Sequence, residues 1–139
     1  MSFIKYKNNN LFVDNTSVKK LTSKFKSPFY LYANSNIVKN YRSFYDNFKK
    51  VSPLICFSVK ANSNIQILKI LKKMGSGADV VSGGELLKAI KSGIKPNKIV
   101  FSGVGKTEDE IKLAIRKKIL LINVESENEA ILINKIAGK

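Results

Sequence analysis

Histidine is absent from this chain of 139 residues, and cysteine occurs only once. A chain without histidine cannot build a serine–histidine triad, a cysteine–histidine pair or a histidine metal site from its own residues. The single cysteine, Cys56, excludes an intrachain disulfide. Because Cys56 lies in an apolar segment, we interpret it as a small core residue rather than as a nucleophile. We predict no metal site.

Long apolar runs are missing as well. No stretch approaches the roughly 18 consecutive apolar residues by which a membrane-spanning helix is recognised. The first residues, Met1–Lys7, lack the apolar segment of a secretory signal peptide. We therefore expect a cytoplasmic protein without a membrane partner.

Acidic residues are scarce. The chain contains 10 Asp and Glu residues but 25 Lys and Arg residues, so its net charge is +15. Such a charge suggests nucleic acid as a partner. However, only Arg42 and Arg116 are arginines, the side chain that best contacts phosphates and base edges. The lysines are spread along the chain, at predicted helix ends and outer faces. We predict no nucleic-acid partner, and a basic nucleic-acid binder remains an alternative that rests on charge alone.

A repeated unit of strand and helix begins near Leu54. Each of its apolar segments is followed by a pattern typical of an amphipathic helix. Two of these helices open with capping boxes, Thr107–Glu110 and Ser126–Glu129. Repeated units of this kind imply parallel strands with right-handed crossovers. The fold class predicted is α/β, with about four βα units. Four parallel strands could form a small open sheet or a partial TIM-type (β/α)8 barrel with two exposed edges. The predicted strands are Ile55–Val59, Ala78–Val81, Ile99–Phe101 and Leu120–Val124.

The region ahead of these units has a different pattern. Phe3–Tyr6 and Leu11–Val13 predict a short β-hairpin around an asparagine-rich turn. Ser17 is placed to cap a helix that runs through Phe25. A strand over Phe29–Tyr32 should follow, and then a helix with an aromatic inner side.

These patterns divide the chain into two parts. Residues 1–27 are assigned to a β-domain segment with its lead-in helix. Residues 28–139 are assigned to the βα units, which are the truncated N-terminal half of a barrel if their strands belong to one.

The segment Pro53–Asn64 is the most informative part of the sequence. Leu54–Val59 is apolar on both faces, as a strand inside a parallel sheet requires. Lys60 follows at the point where this strand ends, and Asn62 or Asn64 is a plausible cap for the next helix. The carboxyl ends of parallel strands carry the functional groups of such folds. An amine between apolar walls favours its neutral form, which can form a Schiff base. The alternative is a lysine that only solvates the surface.

Two glycine-containing loops resemble phosphate-binding motifs but depart from them. Ser102–Thr107 follows a strand and opens a helix, yet Val100 stands where a full P-loop has its first glycine. Gly75–Gly77 lacks the third glycine of the dinucleotide motif and precedes a strand instead of following it. We interpret both as tight turns, while binding of a single anion stays open.

Two acidic residues belong to the predicted strand Ala78–Val81 and to the helix that follows it. Asp79 lies within an otherwise buried strand, where a carboxylate needs a positive or hydrogen-bonding partner, and the neighbouring strand offers Lys60. Glu85 lies at the start of the following helix, where the helix dipole alone favours an acid. Both residues are therefore candidate site residues with a structural alternative.

Several segments together resemble the fold-type III pyridoxal-phosphate-dependent decarboxylases, whose members act on ornithine, arginine and diaminopimelate. Phe57–Asn62 resembles the cofactor attachment pattern of that family, with Ser58 where alanine or proline is usual. Gly77–Leu86, Ile99–Thr107 and Asn123–Ser126 are similar to the diaminopimelate decarboxylase branch. The resemblance extends over nearly the whole chain.

The resemblance implies that Lys60 binds pyridoxal 5'-phosphate covalently and is catalytic. It also implies that Asp79 binds the cofactor and that Glu85 lies near it. The implied reaction is decarboxylation of meso-diaminopimelate to L-lysine by a cytoplasmic homodimer. By the same resemblance, the histidine, phosphate loop and substrate arginine of the family lie beyond Lys139, so the chain alone should be inactive. A non-catalytic cofactor-binding module, or a decarboxylase of ornithine or arginine, remains an alternative.

Overall fold

The computed structural model describes residues 3–138, and these fall into two compact units, Met1–Asn47 and Phe48–Lys139. The first unit contains an antiparallel sheet in the order β1-β2-β3. Its strands are β1 (Ile4–Lys7), β2 (Asn10–Val13) and β3 (Thr16–Ser17), and its helices are α1 (Val18–Thr22) and α2 (Asn34–Phe48).

The hairpin predicted at the start of the chain is confirmed. Asn8 and Asn9 connect β1 to β2 with φ angles of 49° and 57°. A two-residue hairpin turn needs positive φ at both positions, and asparagine tolerates that conformation better than most residues. The turn therefore fixes the register in which Lys7 lies opposite Asn10.

Two predictions for the first unit are wrong. The predicted helix from Ser17 to Phe25 ends at Thr22, and the predicted strand Phe29–Tyr32 is absent. An extended segment becomes a strand only when a neighbouring edge takes up its hydrogen bonds. Phe29–Tyr32 pairs with neither edge strand of the described three-stranded sheet, β1 or β3, and so it does not form a strand.

The second unit confirms the α/β prediction. Its four strands are parallel and lie in the order β4-β5-β6-β7, so each new strand adds beside the previous one. Each strand is followed by a helix, which gives four βα units and a partial barrel. The strands are β4 (Cys56–Ser58), β5 (Gly77–Val80), β6 (Ile99–Phe101) and β7 (Leu121–Ile122), and the helices are α3 (Ile65–Lys73), α4 (Gly83–Lys91), α5 (Glu108–Lys117) and α6 (Glu127–Ala137).

The core lies between the sheet and its helices. Alternate strand residues point to this side, because side chains of a strand alternate between its two faces. The fully buried strand residues there include Ala78, Val80, Ile99 and Phe101, and they pack against buried helix residues such as Leu86. Burial of this apolar face is the main source of stability for the unit.

The opposite face of the sheet carries smaller and polar side chains. Ser58, Asp79 and Val100 lie in register on adjacent strands, so they form one row across this face. Gly77 occupies the row below, and a Cβ there would lie 2.3 Å from the Lys98 carbonyl oxygen. This close backbone approach requires glycine at position 77. Within residues 3–138, no helix has the length and apolar character needed to cross a bilayer.

Candidate active site

Lys60 lies at the carboxyl end of β4, as predicted. The strand ends at Ser58, and residues Val59–Ala61 form a single 3-10 turn before α3 begins. Val59 is fully buried in the core and anchors the turn, whereas Lys60 is exposed. The turn thus holds the amine at the rim of the sheet. Because Lys60 is exposed, residues 3–138 do not surround its amine with the apolar walls that the sequence suggested.

Asn64 is the cap of the helix that follows Lys60. Its side-chain oxygen accepts a hydrogen bond from the backbone N–H of Gln66 at 2.8 Å. The other candidate, Asn62, accepts one from the backbone N–H of Asn64 at 3.0 Å. The two asparagines therefore act in series, and together they fix the path of the chain from Lys60 into α3.

Asp79 and Ser58 face the same side of the sheet. Ser58 lies two residues before Lys60. The Asp79 carboxylate accepts a hydrogen bond of 2.6 Å from the hydroxyl of Ser102, which lies beyond the neighbouring strand β6. No ion pair joins Lys60 to Asp79 within the part of the chain that the structure describes. The hydrogen-bonding partner that a half-buried carboxylate needs is therefore Ser102.

The hydroxyl of Ser58 has no hydrogen-bond partner among residues 3–138, although its oxygen is buried. It lies in register with Asp79 and close in sequence to Lys60. A buried hydroxyl without a partner costs about 1–3 kcal/mol. An orphaned polar atom in register with a carboxylate and two residues before Lys60 fits a site completed by a bound polar group.

Glu85 forms its hydrogen bonds with groups at the start of α4. Its carboxylate accepts a hydrogen bond of 3.0 Å from the backbone N–H of Val81, and its own N–H donates to the Ser82 hydroxyl at 3.2 Å. Both bonds satisfy backbone groups at a helix start. The structural alternative for Glu85 rested on the helix dipole and did not include these bonds. Glu85 thereby fixes the turn that follows the strand of Asp79.

Lys106 is the residue whose role the sequence analysis did not foresee. Its side chain is 1% exposed, and its ammonium donates hydrogen bonds of 2.7 Å to the carbonyl oxygens of Gly103 and Asn123 and to Glu129. An ammonium has three donors, so all are occupied. Lys106 therefore binds its own loop, the end of β7 and the start of α6 instead of a phosphate, which agrees with the tight-turn interpretation.

One capping box is confirmed and the other is incomplete. Thr107 and Glu110 make both reciprocal bonds of the box. Ser126 accepts from the backbone N–H of Glu129, but the Glu129 carboxylate turns to Lys106. The sequence signal for the pair of Lys106 and Glu129 is weak, because most of a βα unit separates the two residues. Only the fold brings their charges together.

Cys56 faces the same side of the sheet as Ser58 and Asp79 and is half-buried. Burial raises the pKa of its thiol, the charge of Asp79 adds to that effect, and Lys98 opposes it. The thiol is therefore protonated at neutral pH and weakly nucleophilic. Cys56 thus takes no part in the chemistry that we assign to this site.

The site therefore combines an accessible primary amine, a hydrogen-bonded carboxylate and an unpartnered hydroxyl. A primary amine reacts with an aldehyde, while the carboxylate and hydroxyl hold polar groups in place. This set of groups fits a cofactor that carries an aldehyde and polar substituents. No group of three or more metal-binding side chains was found among residues 3–138.

Comparison with known proteins identifies relatives of this chain. Residues 34–139 match the description "Pyridoxal-dependent decarboxylase, pyridoxal binding domain". The chain is 45% identical over 139 residues to diaminopimelate decarboxylase of Aquifex aeolicus, and 41% identical over 139 residues to that of Haemophilus influenzae. These alignments cover 99% and 100% of this chain but only 32% and 34% of the relatives. The chain thus spans about a third of the length of the curated relatives it matches.

Solved structures show the same relationship. The crystal structure of diaminopimelate decarboxylase from M. jannaschii in complex with L-lysine superposes with a TM-score of 0.93 at 38% identity. The superposition covers 97% of this chain and 32% of that one. Lysine decarboxylase from Selenomonas ruminantium, at 22% identity and a TM-score of 0.78, shows the shared fold alone.

Proposed function

Because the chain belongs to the pyridoxal-dependent decarboxylases and contains their pyridoxal binding domain, we propose that it is the N-terminal part of a diaminopimelate decarboxylase. The complete enzyme would convert meso-diaminopimelate into L-lysine and carbon dioxide. The observation that carries this proposal is the exposed amine of Lys60 at the carboxyl end of β4, within residues that match the domain. The similarity to diaminopimelate decarboxylases over nearly the whole chain supports the choice of substrate.

Lys60 is the proposed catalytic residue. Its amine would hold pyridoxal phosphate at the carboxyl end of β4. Pyridoxal phosphate, when bound, supplies the electron sink that makes loss of a carboxylate possible. Lys60 is then free to hold a proton near the carbon atom that has lost carbon dioxide.

Asp79 is the proposed cofactor-binding acid. It lies one strand away from Lys60, and its second carboxylate oxygen, Oδ2, has no partner among the described residues. Ser58 adds a hydroxyl in the same row. Glu85 is proposed to lie near the cofactor and to act indirectly, since its carboxylate holds the turn after β5.

The proposed division of the molecule follows the sequence analysis. Residues 1–27 contribute to a β-domain, and residues 28–139 form the first half of the barrel. The remaining units, the phosphate-binding loop and the substrate-binding groups would come from the rest of the enzyme. We further propose a cytoplasmic homodimer in lysine biosynthesis, without nucleic-acid or membrane partners.

A non-catalytic cofactor-binding module is the second candidate, since the matched domain is described by its binding of pyridoxal. A decarboxylase of ornithine or arginine is a further alternative, because it needs the same lysine. The coding sequence that adjoins this chain separates these candidates. A glycine-rich phosphate loop and a distal β-domain support the decarboxylase, whereas a chain that ends with the barrel supports the module.

Replacement of the lysine tests the proposed function. In the complete enzyme, Lys60→Ala should abolish both the visible absorbance of the bound cofactor and the release of carbon dioxide from diaminopimelate, because no amine remains to attach the cofactor. Lys69→Ala, on the exposed side of α3, removes the same charge and should retain both signals. Borohydride reduction that fixes the cofactor on a different lysine would refute the assignment.

A further inference from the structure

A row of side-chain hydrogen bonds crosses three strand ends at the candidate site. The Asn123 amide donates to the Ser102 hydroxyl oxygen at 2.9 Å, and that hydroxyl donates to Asp79 at 2.6 Å. Asn123 follows β7, Ser102 follows β6, and Asp79 lies in β5. The row therefore runs along the rim of the sheet and ends at the carboxylate that we place beside the cofactor.

The chemistry of the three groups fixes the direction of the hydrogen bonds. An amide NH₂ can only donate, so the Ser102 oxygen accepts from Asn123 and directs its single proton elsewhere. That proton points to the Asp79 carboxylate. The carboxylate oxygen Oδ1 of Asp79 is the acceptor of this bond.

The backbone holds both donors in place. The N–H of Ser102 donates to the Val80 carbonyl oxygen at 2.8 Å, and the N–H of Asn123 donates to the Phe101 carbonyl oxygen at 2.8 Å. Lys106 adds a third fixed point, because its ammonium binds the carbonyl oxygen of Asn123. The row is thus built on ladder hydrogen bonds and a buried cation.

We propose that Ser102 and Asn123 are positioning residues that hold the Asp79 carboxylate in one orientation. This keeps its second oxygen available to a hydrogen-bond donor of the bound cofactor or to the amine of Lys60. The inference deepens the proposed function and rests on it. It assigns a role to two residues that the sequence analysis placed only within family-like segments.

The test uses the complete enzyme and three substitutions in the row. Ser102→Ala removes both hydrogen bonds, Ser102→Thr keeps the hydroxyl, and Asn123→Asp turns the donor into an acceptor that competes for the Ser102 proton. Ser102→Ala and Asn123→Asp should each weaken the affinity of the apoenzyme for pyridoxal phosphate, and lower kcat, by about 10-fold to 100-fold. Ser102→Thr should restore most of both quantities.

Asn128→Asp is the matched control, because it makes the same change at an exposed position of α6 outside the row. It should leave affinity, kcat and the thermal midpoint near those of the wild type. Unchanged cofactor affinity in Ser102→Ala would overturn the inference. The inference would also be overturned if Ser102→Thr did not restore the cofactor affinity and kcat lost in Ser102→Ala. A fall in the thermal midpoint of Ser102→Ala that matches those losses would overturn it too.

Failure of the inference differs from failure of the proposed function. A wild-type enzyme that releases no carbon dioxide from diaminopimelate refutes the function. The cofactor titration still judges the positioning role, together with crystal structures of the wild type and Ser102→Ala. A changed Asp79 conformer in the variant supports the role, whereas an identical conformer with unchanged affinity contradicts it.

Discussion

The ammonium of Lys106 ties together the ends of two strands and the start of α6. Its side chain is 1% exposed and that of its partner Glu129 is 9% exposed, so both charges lie away from water. The ring of Phe101 adds a cation–π contact at 5.9 Å. Desolvation makes such a pair costly to build, but the loss of one partner costs more because the other charge stays buried alone.

Replacing Lys106 should therefore destabilise the protein strongly. Lys106→Met leaves the Glu129 carboxylate and two carbonyl oxygens without their donor, and should lower the free energy of unfolding by about 3–5 kcal/mol. The double variant Lys106→Met/Glu129→Leu should recover part of that loss, since no unpaired charge remains. Urea unfolding of the complete protein measures both.

The exposed ion pair between Lys112 and Glu108 is the matched control. It has the same 2.7 Å separation, but its side chains are 45% and 57% exposed. Lys112→Met should change the free energy of unfolding by less than about 1 kcal/mol. If Lys106→Met instead left stability intact and removed phosphate binding, the loop would be a phosphate site after all.

Among the secondary-structure elements, the junction between α4 and α5 depends on one carboxylate. Glu110 accepts hydrogen bonds from the backbone N–H of Gly83 at 2.7 Å and from that of Thr107 at 3.0 Å. The bond from Gly83, followed by the bond from Thr107, lowers the pKa of Glu110 below its ordinary value of 4.5. The two helix starts thus share one acceptor, which links consecutive βα units.

The contribution of Glu110 to stability should depend on pH. A carboxyl whose pKa is lower in the folded protein stabilises it above the unfolded value, and loses that effect as pH falls through the folded pKa. Relative to Glu110→Gln, the wild type should be more stable by about 1 kcal/mol near neutral pH, and this margin should vanish on acidification below 4.5.

Asp109→Asn controls for charge at the same helix start. Asp109 is an exposed acid in the first turn of α5. Its substitution should reproduce only the small effect of the helix dipole. An equal pH dependence for both variants would show that the dipole, rather than the bonds to Gly83 and Thr107, accounts for the effect of Glu110.

The βα elements were predictable because their signals are local. Apolar runs and capping residues lie within a few positions of each other, and so the strand Ile99–Phe101 was predicted with its observed bounds. The segment Phe29–Tyr32 failed because a strand requires a partner edge that no local pattern specifies. The same limit explains the site. Lys60 was found from its own segment, whereas the Ser102 and Asn123 partners of Asp79 depend on strand register.

At the scale of the whole molecule, the helices of the second unit pack against one face of its four described parallel strands. A closed barrel of eight strands buries its inner residues against one another. Here Leu121 is 51% exposed, and β4 and β7 are the edges of the described parallel sheet. Exposed edges and apolar surface favour association with other chains.

The 139-residue chain expressed alone should therefore associate or aggregate and should not decarboxylate diaminopimelate. Its net charge of +15 slows association but does not cover the apolar face. Chemistry should fail separately, because the chain has no histidine to stack on the cofactor ring. Solution mass and carbon dioxide release with added pyridoxal phosphate measure the two effects.

The two outcomes are independent of each other. A stable monomer would contradict the half-barrel interpretation. Steady turnover by the isolated chain would contradict the view that groups outside it are required for the reaction.

The alternation of side chains along the parallel strands has a consequence for how such a protein can diversify. Phe57, Ala78 and Ile99 face the helices, while their immediate neighbours face the site. Selection can therefore alter reactivity at one set of positions and leave the folding determinants of the adjacent set untouched. A single replacement on the site face can then change the substrate preference while the protein still folds.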